Sequence, residues 1–175
     1  MKATIRKKML AFRAQLSAQE VQIKSEQITQ FVKPYLHACV GSYVAIDHEV
    51  DPIACKSEVN AYPKIYADNT IRFFKVDEHT KYEKNKYGIL EPVDGFEVDP
   101  SEIAVLLIPL VAFDEELHRL GHGKGYYDRY LKNYKGIRIG LAYECQKVAS
   151  IPCEEHDESL DMIVTEMKIY HRKDN

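Results

Sequence analysis

Apolar residues recur at helical intervals through the first part of the chain. Ile5, Met9, Phe12 and Leu16 fall close to one stripe, which predicts a helix over residues 2–16. Ser17-Ala-Gln-Glu20 has the spacing of a capping box, where serine and glutamate satisfy each other's backbone N–H groups, so a second helix begins there. Val21, Ile28, Phe31 and Tyr35 keep the helical interval, and Pro34 lies near its end. The apolar runs then shorten to strand length at residues 40–46, 61–66 and 71–76, with Asp68-Asn69 as the turn between the last two. Asp51-Pro52 opens a helix between the first two, since proline suits a first turn. Residues 81–95 read as polar and irregular. The run I-A-V-L-L-I-P at 103–109 is continuously apolar, as expected of a central parallel strand covered on both faces. A helix over about 126–134 and strands at 137–142 and 162–165 complete the pattern.

Strands alternating with helices give an α/β, Rossmann-like three-layer sandwich with a mainly parallel central sheet, expected as a single domain over residues 1–175. Ligands of such sheets sit beyond the carboxyl ends of the strands. The net charge of -3 supplies no general reason to bind nucleic acid or an anionic membrane. No apolar run approaches membrane-spanning length, and the first residues lack a signal core, so a cytoplasmic monomer is the default expectation. The four cysteines form no C-x-x-C pair and read as reduced packing residues. Some of the twelve tyrosines are expected to line a wet aromatic pocket.

The segment R-L-G-H-G-K-G-Y-Y-D-R-Y-L, from Arg119, changes the picture most. Gly121, Gly123 and Gly125 alternate with His122 and Lys124. Glycine lets the backbone curl and lets a bulky anion approach its N–H groups. A helix starting at once aims its positive end at the same point. Lys124 adds a full charge, and Asp128 sits one turn on, where it is suited to a cation. This is neither a Walker A loop nor a dinucleotide fingerprint, because position 126 is tyrosine. It reads as a cradle for a phosphate chain with its magnesium. Lys2 and Arg6 share a helix face and suit a triphosphate tail. Asp161 offers a second magnesium contact, and His48-Glu49 follows a strand into the expected crevice. Zinc at His118 and His122 is disfavoured by Gly121 between them. No serine-nucleophile elbow occurs.

The run A-F-D-E-E-L-H-R-L-G-H-G-K-G-Y-Y-D-R-Y-L closely resembles the signature of the 5-formyltetrahydrofolate cyclo-ligase family, the methenyltetrahydrofolate synthetases. The likeness extends over nearly the whole chain, through Y-V-A-I-D-H-E-V, Tyr-Pro-Lys at 62–64, Y-G-I-L-E-P at 87–92, I-G-L-A-Y-E at 139–144 and H-D-E-S-L-D-M-I-V-T at 156–165. The resemblance implies an enzyme that uses ATP and Mg²⁺ to close 5-formyltetrahydrofolate into 5,10-methenyltetrahydrofolate, releasing ADP and phosphate. It implies ATP contacts from Lys2, Arg6, Arg119, Gly121, His122, Gly123, Lys124, Gly125, Tyr126 and Tyr127. It implies a folate pocket of Val44, Glu49, Tyr87 and residues His122, Gly123, Lys124, Gly125 and Tyr126, with Glu49 facing the pterin's ring N–H groups and Tyr87 stacking. Lys124, Arg119 and Tyr126 are the expected catalytic residues, and Asp128 and Asp161 the expected magnesium ligands. His122 stands where some relatives carry arginine, and Tyr87 where some carry tryptophan. Two other classes fit the residues alone: a sugar-phosphate isomerase or CoA-transferase-like enzyme, and a nucleotide-binding module without turnover.

Overall fold

The amino-terminal stripe forms α1 (Lys2–Arg13), and the capping box opens α2 (Ala18–Val32). The box closes as its spacing predicts: Glu20 N donates to Ser17 Oγ at 3.1 Å and Ser17 N to Glu20 Oε2 at 2.8 Å, a cap worth about 1 kcal/mol. α1 stops earlier than the stripe. Met9 is buried, but Phe12 is 44% exposed, and Arg13 is buried in its place. This computed structural model describes residues 1–172.

The strands follow as β1 (Val40–Gly41), β2 (Ala61–Ile65), β3 (Ile71–Lys75), β4 (Tyr82–Lys84), β5 (Leu90–Pro92), β6 (Glu97–Val98), β7 (Val105–Pro109), β8 (Ala112–Phe113) and β9 (Arg119–Leu120). α3 (Tyr126–Leu131), β10 (Ile137–Leu141), β11 (Met162–Val164) and β12 (Ile169–His171) complete the chain. Eight strands form one sheet in the order β12-β11-β10-β7-β1-β2-β3-β6. The five strands from β11 to β2 are parallel neighbours, while β12, β3 and β6 pair antiparallel at the edges. The expected mainly parallel sheet is therefore present, with antiparallel margins.

β7 explains its own sequence. Val105, Leu106, Leu107 and Ile108 are all 0% exposed. Alternate side chains go to opposite faces of a strand. Val105 and Leu107 pack with Ile28 and Val32 of α2, whereas Leu106 and Ile108 pack with Leu131 of α3. Two apolar faces need helices on both sides, which produces the three layers.

Several elements differ from the pattern-based expectation. The strand expected over 40–46 keeps only Val40–Gly41, with Ser42 N still donating to Ala61 O at 3.0 Å. Beyond it the chain turns at Asp47 and His48, whose φ angles are 44° and 60°. The helix expected at Asp51-Pro52 is a 3-10 turn, Pro52–Cys55, capped by Asp51. Residues 81–95 are not irregular, since β4 and β5 make a hairpin there. The helix expected to reach 134 ends at Leu131. All four cysteines are free thiols, but only Cys55 is fully buried, and Cys145 and Cys153 are exposed.

Candidate active site

β1 leads on to β2 on one side of the sheet, and β7 leads on to β10 on the other, so the chain changes direction between β1 and β7. A crevice opens at the carboxyl ends of two strands that diverge in this way. A pocket of about 530 Å³ lies there, lined by Tyr43 and Val44 after β1, Pro109 ending β7, and the whole loop from Gly121 to Gly125. The loop does not follow β7 directly. The β8–β9 hairpin intervenes and carries Arg119 to the rim of the pocket.

Three arginines fix the loop. Arg6 Nε donates to Gly121 O at 2.8 Å. Arg129 Nη1 donates to Lys124 O and to Asn69 O, both at 2.9 Å. Arg119 Nη2 pairs with Asp128 Oδ1 at 2.6 Å. Gly123 and Gly125 have φ of 92° and 71°, and a Cβ on Gly123 would stand 3.2 Å from the Arg6 guanidinium carbon. Both positions therefore require glycine twice over, for conformation and for space. α3 has only six residues, so the charge in the cradle comes from side chains and loop N–H groups more than from a helix dipole. Lys2, Arg6 and Lys124 all line the pocket. Lys124 Nζ makes no ion pair or hydrogen bond among the described residues, which leaves it available to an anion.

Burial lowers the Arg119 pKa, and the carboxylates of Asp128 and Asp157 act against that. Asp157 is a pocket residue that the sequence analysis missed. Its Oδ2 takes the Lys2 ammonium at 2.5 Å, with Glu154 adding a second oxygen at 3.0 Å. Asp161, expected as a magnesium ligand, lies elsewhere. It precedes β11 at the amino end of a strand parallel to β10, and its Oδ2 accepts from Arg138 N at 2.9 Å. Its carboxylate supports the sheet at the end opposite the pocket. Asp157, four residues earlier in the same H-D-E-S-L-D stretch, is the carboxylate that reaches the site.

The other end of the pocket is built differently. Glu49 is 5% exposed and closes the turn after β1, accepting from Ile46 N at 3.1 Å. His122 Nε2 lies 3.2 Å from Glu49 Oε1. Tyr87 and Tyr126 stand at the rim, and each perturbs the other: Tyr126 draws the Tyr87 phenol below its ordinary value and is itself raised. Tyr127 is half-buried, and desolvation holds its phenol well above the ordinary range and keeps it neutral. The β4–β5 hairpin supplies an apolar wall through Ile89, with Ile65 and Ile71 beside it. Glu91 braces that wall, accepting from Ile65 N and Asn85 Nδ2 at 2.9 and 2.7 Å. No periodicity in residues 81–95 announced this wall. The two histidines considered for zinc are separated: His118 pairs with Asp114 at 3.2 Å and His122 with Glu49. Of the residues expected in the crevice, Asp161 and His48 are absent from the pocket lining, His48 Nδ1 lying instead 3.4 Å from Arg13 O.

One end of this pocket thus suits a polyanion and the other a flat, hydrogen-bonding heterocycle. The 5-formyltetrahydrofolate cyclo-ligase family model matches residues 1–166. A 5-formyltetrahydrofolate cyclo-ligase of Haemophilus influenzae is 31% identical, covering 91% of this chain and 95% of its own length. One of Escherichia coli is 39% identical over 60% of each chain. The structure of the Aquifex aeolicus 5,10-methenyltetrahydrofolate synthetase superposes with a TM-score of 0.89 at 36% identity, covering 99% of this chain and 94% of that one. The Mycoplasma pneumoniae synthetase gives a TM-score of 0.76 at 30% identity, covering 94% and 98%. This chain therefore belongs to the 5-formyltetrahydrofolate cyclo-ligase family of enzymes.

Proposed function

We propose that the enzyme closes 5-formyltetrahydrofolate into 5,10-methenyltetrahydrofolate with ATP as co-substrate, releasing ADP and phosphate. The formyl oxygen attacks the γ-phosphorus, and the bond to the β-phosphate oxygen breaks. The neighbouring aniline nitrogen then attacks the activated carbon, loses its proton, and phosphate leaves with the former formyl oxygen. An unactivated amide oxygen is a poor leaving group, so phosphorylation gives ring closure its driving force.

The observation that carries this reading is one pocket holding both the Gly121–Gly125 cradle, with Lys2, Arg6 and Lys124, and the Glu49–His122 pair beside Tyr87 and Tyr126. The cations and loop N–H groups neutralise the phosphates. Phosphoryl transfer asks a protein mainly for such positioning and charge. Arg119 holds the loop through Asp128 and adds charge beside it. Glu49 accepts from the pterin N–H groups, Val44 packs beside the ring, and Tyr87 covers it.

Asp128 and Asp157 are the pocket carboxylates that suit magnesium. Two carboxylates with phosphate oxygens and water match the hard, largely hydrated coordination this ion keeps. Magnesium, when bound, would neutralise charge on the phosphate oxygens. Asp128 and Asp157 would hold it, releasing part of their hold on Arg119 and Lys2.

Incubation with MgATP and 5-formyltetrahydrofolate, followed by near-ultraviolet absorbance, tests the reading. Appearance of the methenyl chromophore together with ADP supports it. ATP binding without product points to a module without turnover.

A further inference from the structure

Arg13 is the most deeply buried charged residue described, 1% exposed, yet it is poorly satisfied. Its Nη1 reaches Leu110 O only at 3.4 Å, and Nε and Nη2 have no hydrogen-bond partner among the described residues. A guanidinium in such a place needs a counter-charge. The nearest is Glu49 Oε1, 4.0 Å from Nη1. That is too long for a hydrogen bond and short enough for strong attraction across a dry interior. Arg13 does not line the pocket, whereas Glu49 does. The guanidinium therefore stands behind the carboxylate, on the side away from a ligand.

The other groups facing Glu49 do not replace it. His122, from the glycine loop, sits on the pocket side, 3.2 Å from the same oxygen. Tyr43 and Tyr127 approach as neutral phenols, each raised first by burial and then by the Glu49 charge. The Tyr143 hydroxyl donates to the Glu49 backbone carbonyl at 3.1 Å, not to the carboxylate. Arg13 is the permanent cation of the set.

We propose that Arg13 is a positioning residue for the folate end of the site: its guanidinium attracts the buried Glu49 carboxylate and keeps it aimed into the pocket without competing for its hydrogen bonds. The long separation serves this role. A carboxylate locked at 2.8 Å to a buried arginine would have its lone pairs taken, whereas at this distance Arg13 supplies charge and leaves the oxygens to the ligand. The inference rests on the reading that Glu49 receives the pterin N–H groups.

The test measures KM for 5-formyltetrahydrofolate and for ATP in wild type, Arg13→Gln, Arg13→Lys and Glu49→Gln, with circular dichroism on each. Without its counter-charge the carboxylate loses the attraction that holds it in place. Arg13→Gln is expected to raise the folate KM at least about tenfold, with the ATP KM within about twofold. Arg13→Lys keeps a cation and is expected to have a folate KM within about threefold of wild type. An unchanged folate KM in Arg13→Gln, or one raised together with that for ATP, overturns the proposal. So does a folate KM raised about tenfold in Arg13→Lys, whether or not Arg13→Gln folds. A wild-type folate KM in Glu49→Gln overturns the assignment of Glu49 itself and is distinguishable from failure at Arg13.

Discussion

Arg6 and Gly121, 115 residues apart in sequence, are joined by a 2.8 Å hydrogen bond from Nε to the loop carbonyl. The amino-terminal helix thus clamps the glycine loop from outside while lending it charge. The same guanidinium leaves no room above Gly123, where a Cβ would lie 3.2 Å from its carbon. Gly123→Val is expected to abolish ATP binding in calorimetry and to cost about 1–2 kcal/mol of stability from the positive φ alone. An unchanged ATP affinity would remove the loop from the nucleotide site.

Lys124 is the loop lysine whose ammonium has no ion pair or hydrogen bond among the described residues. Lys124→Ala is expected to keep the fold, by circular dichroism, and to lose about a hundredfold or more in turnover, the usual effect of deleting one well-aimed donor to developing charge. Near-normal turnover would take Lys124 out of the mechanism.

The proposed metal roles of the carboxylates give separate expectations. Asp128→Asn and Asp157→Asn are expected to raise the magnesium concentration needed for half-maximal rate, measured by titrating MgCl₂ at fixed ATP. Asp161→Asn should leave that requirement untouched. It weakens the acceptor for Arg138 N instead, costing about 1 kcal/mol and about 2–4 °C in melting temperature. A raised magnesium requirement in Asp161→Asn alone would reverse this assignment.

The Lys2–Asp157 pair predicts a pH-dependent stability increment. Burial raises the Asp157 carboxyl, but hydrogen bonds from Lys2 and Glu154 N outweigh it and leave the group below its ordinary 3.8. A lowered folded-state value stabilises above the unfolded value and is lost as pH falls through the folded one. Lys2→Met is therefore expected to cost about 0.2–1 kcal/mol at pH 7, given the screening of a partly exposed pair. Urea titrations at pH 7 and at pH 3 check this, and the difference from wild type should narrow at the lower pH. A constant difference at both would assign the effect to packing.

Much of this was legible in the residues. The continuous run of β7 could only be a strand covered on both faces, and the Ser17–Glu20 spacing located the start of α2. The alternating glycines pointed to the loop that lines the pocket, since Gly123 and Gly125 take positive φ there. What escaped notice depended on strand direction and on depth. Asp157 and Asp161 look equivalent in sequence, and only the path of the connection from β10 to β11 leaves one at the pocket and sets the other against Arg138 N at the amino end of β11. Arg13 sits in a basic helix where a solvated side chain is the ordinary reading, so its burial left no trace in the pattern. The β4–β5 hairpin was hidden because its strands are three residues each and the buried positions of β5 are a glutamate and a proline, Glu91 and Pro92.

Lys2 meets Asp157 across 155 positions of sequence. A chain emerging from the ribosome exposes Lys2 and Arg6 long before Asp157 exists, so a fragment that stops short of Asp157 leaves Lys2 without that partner. Such fragments also lack β11 and β12 and are expected to be inert.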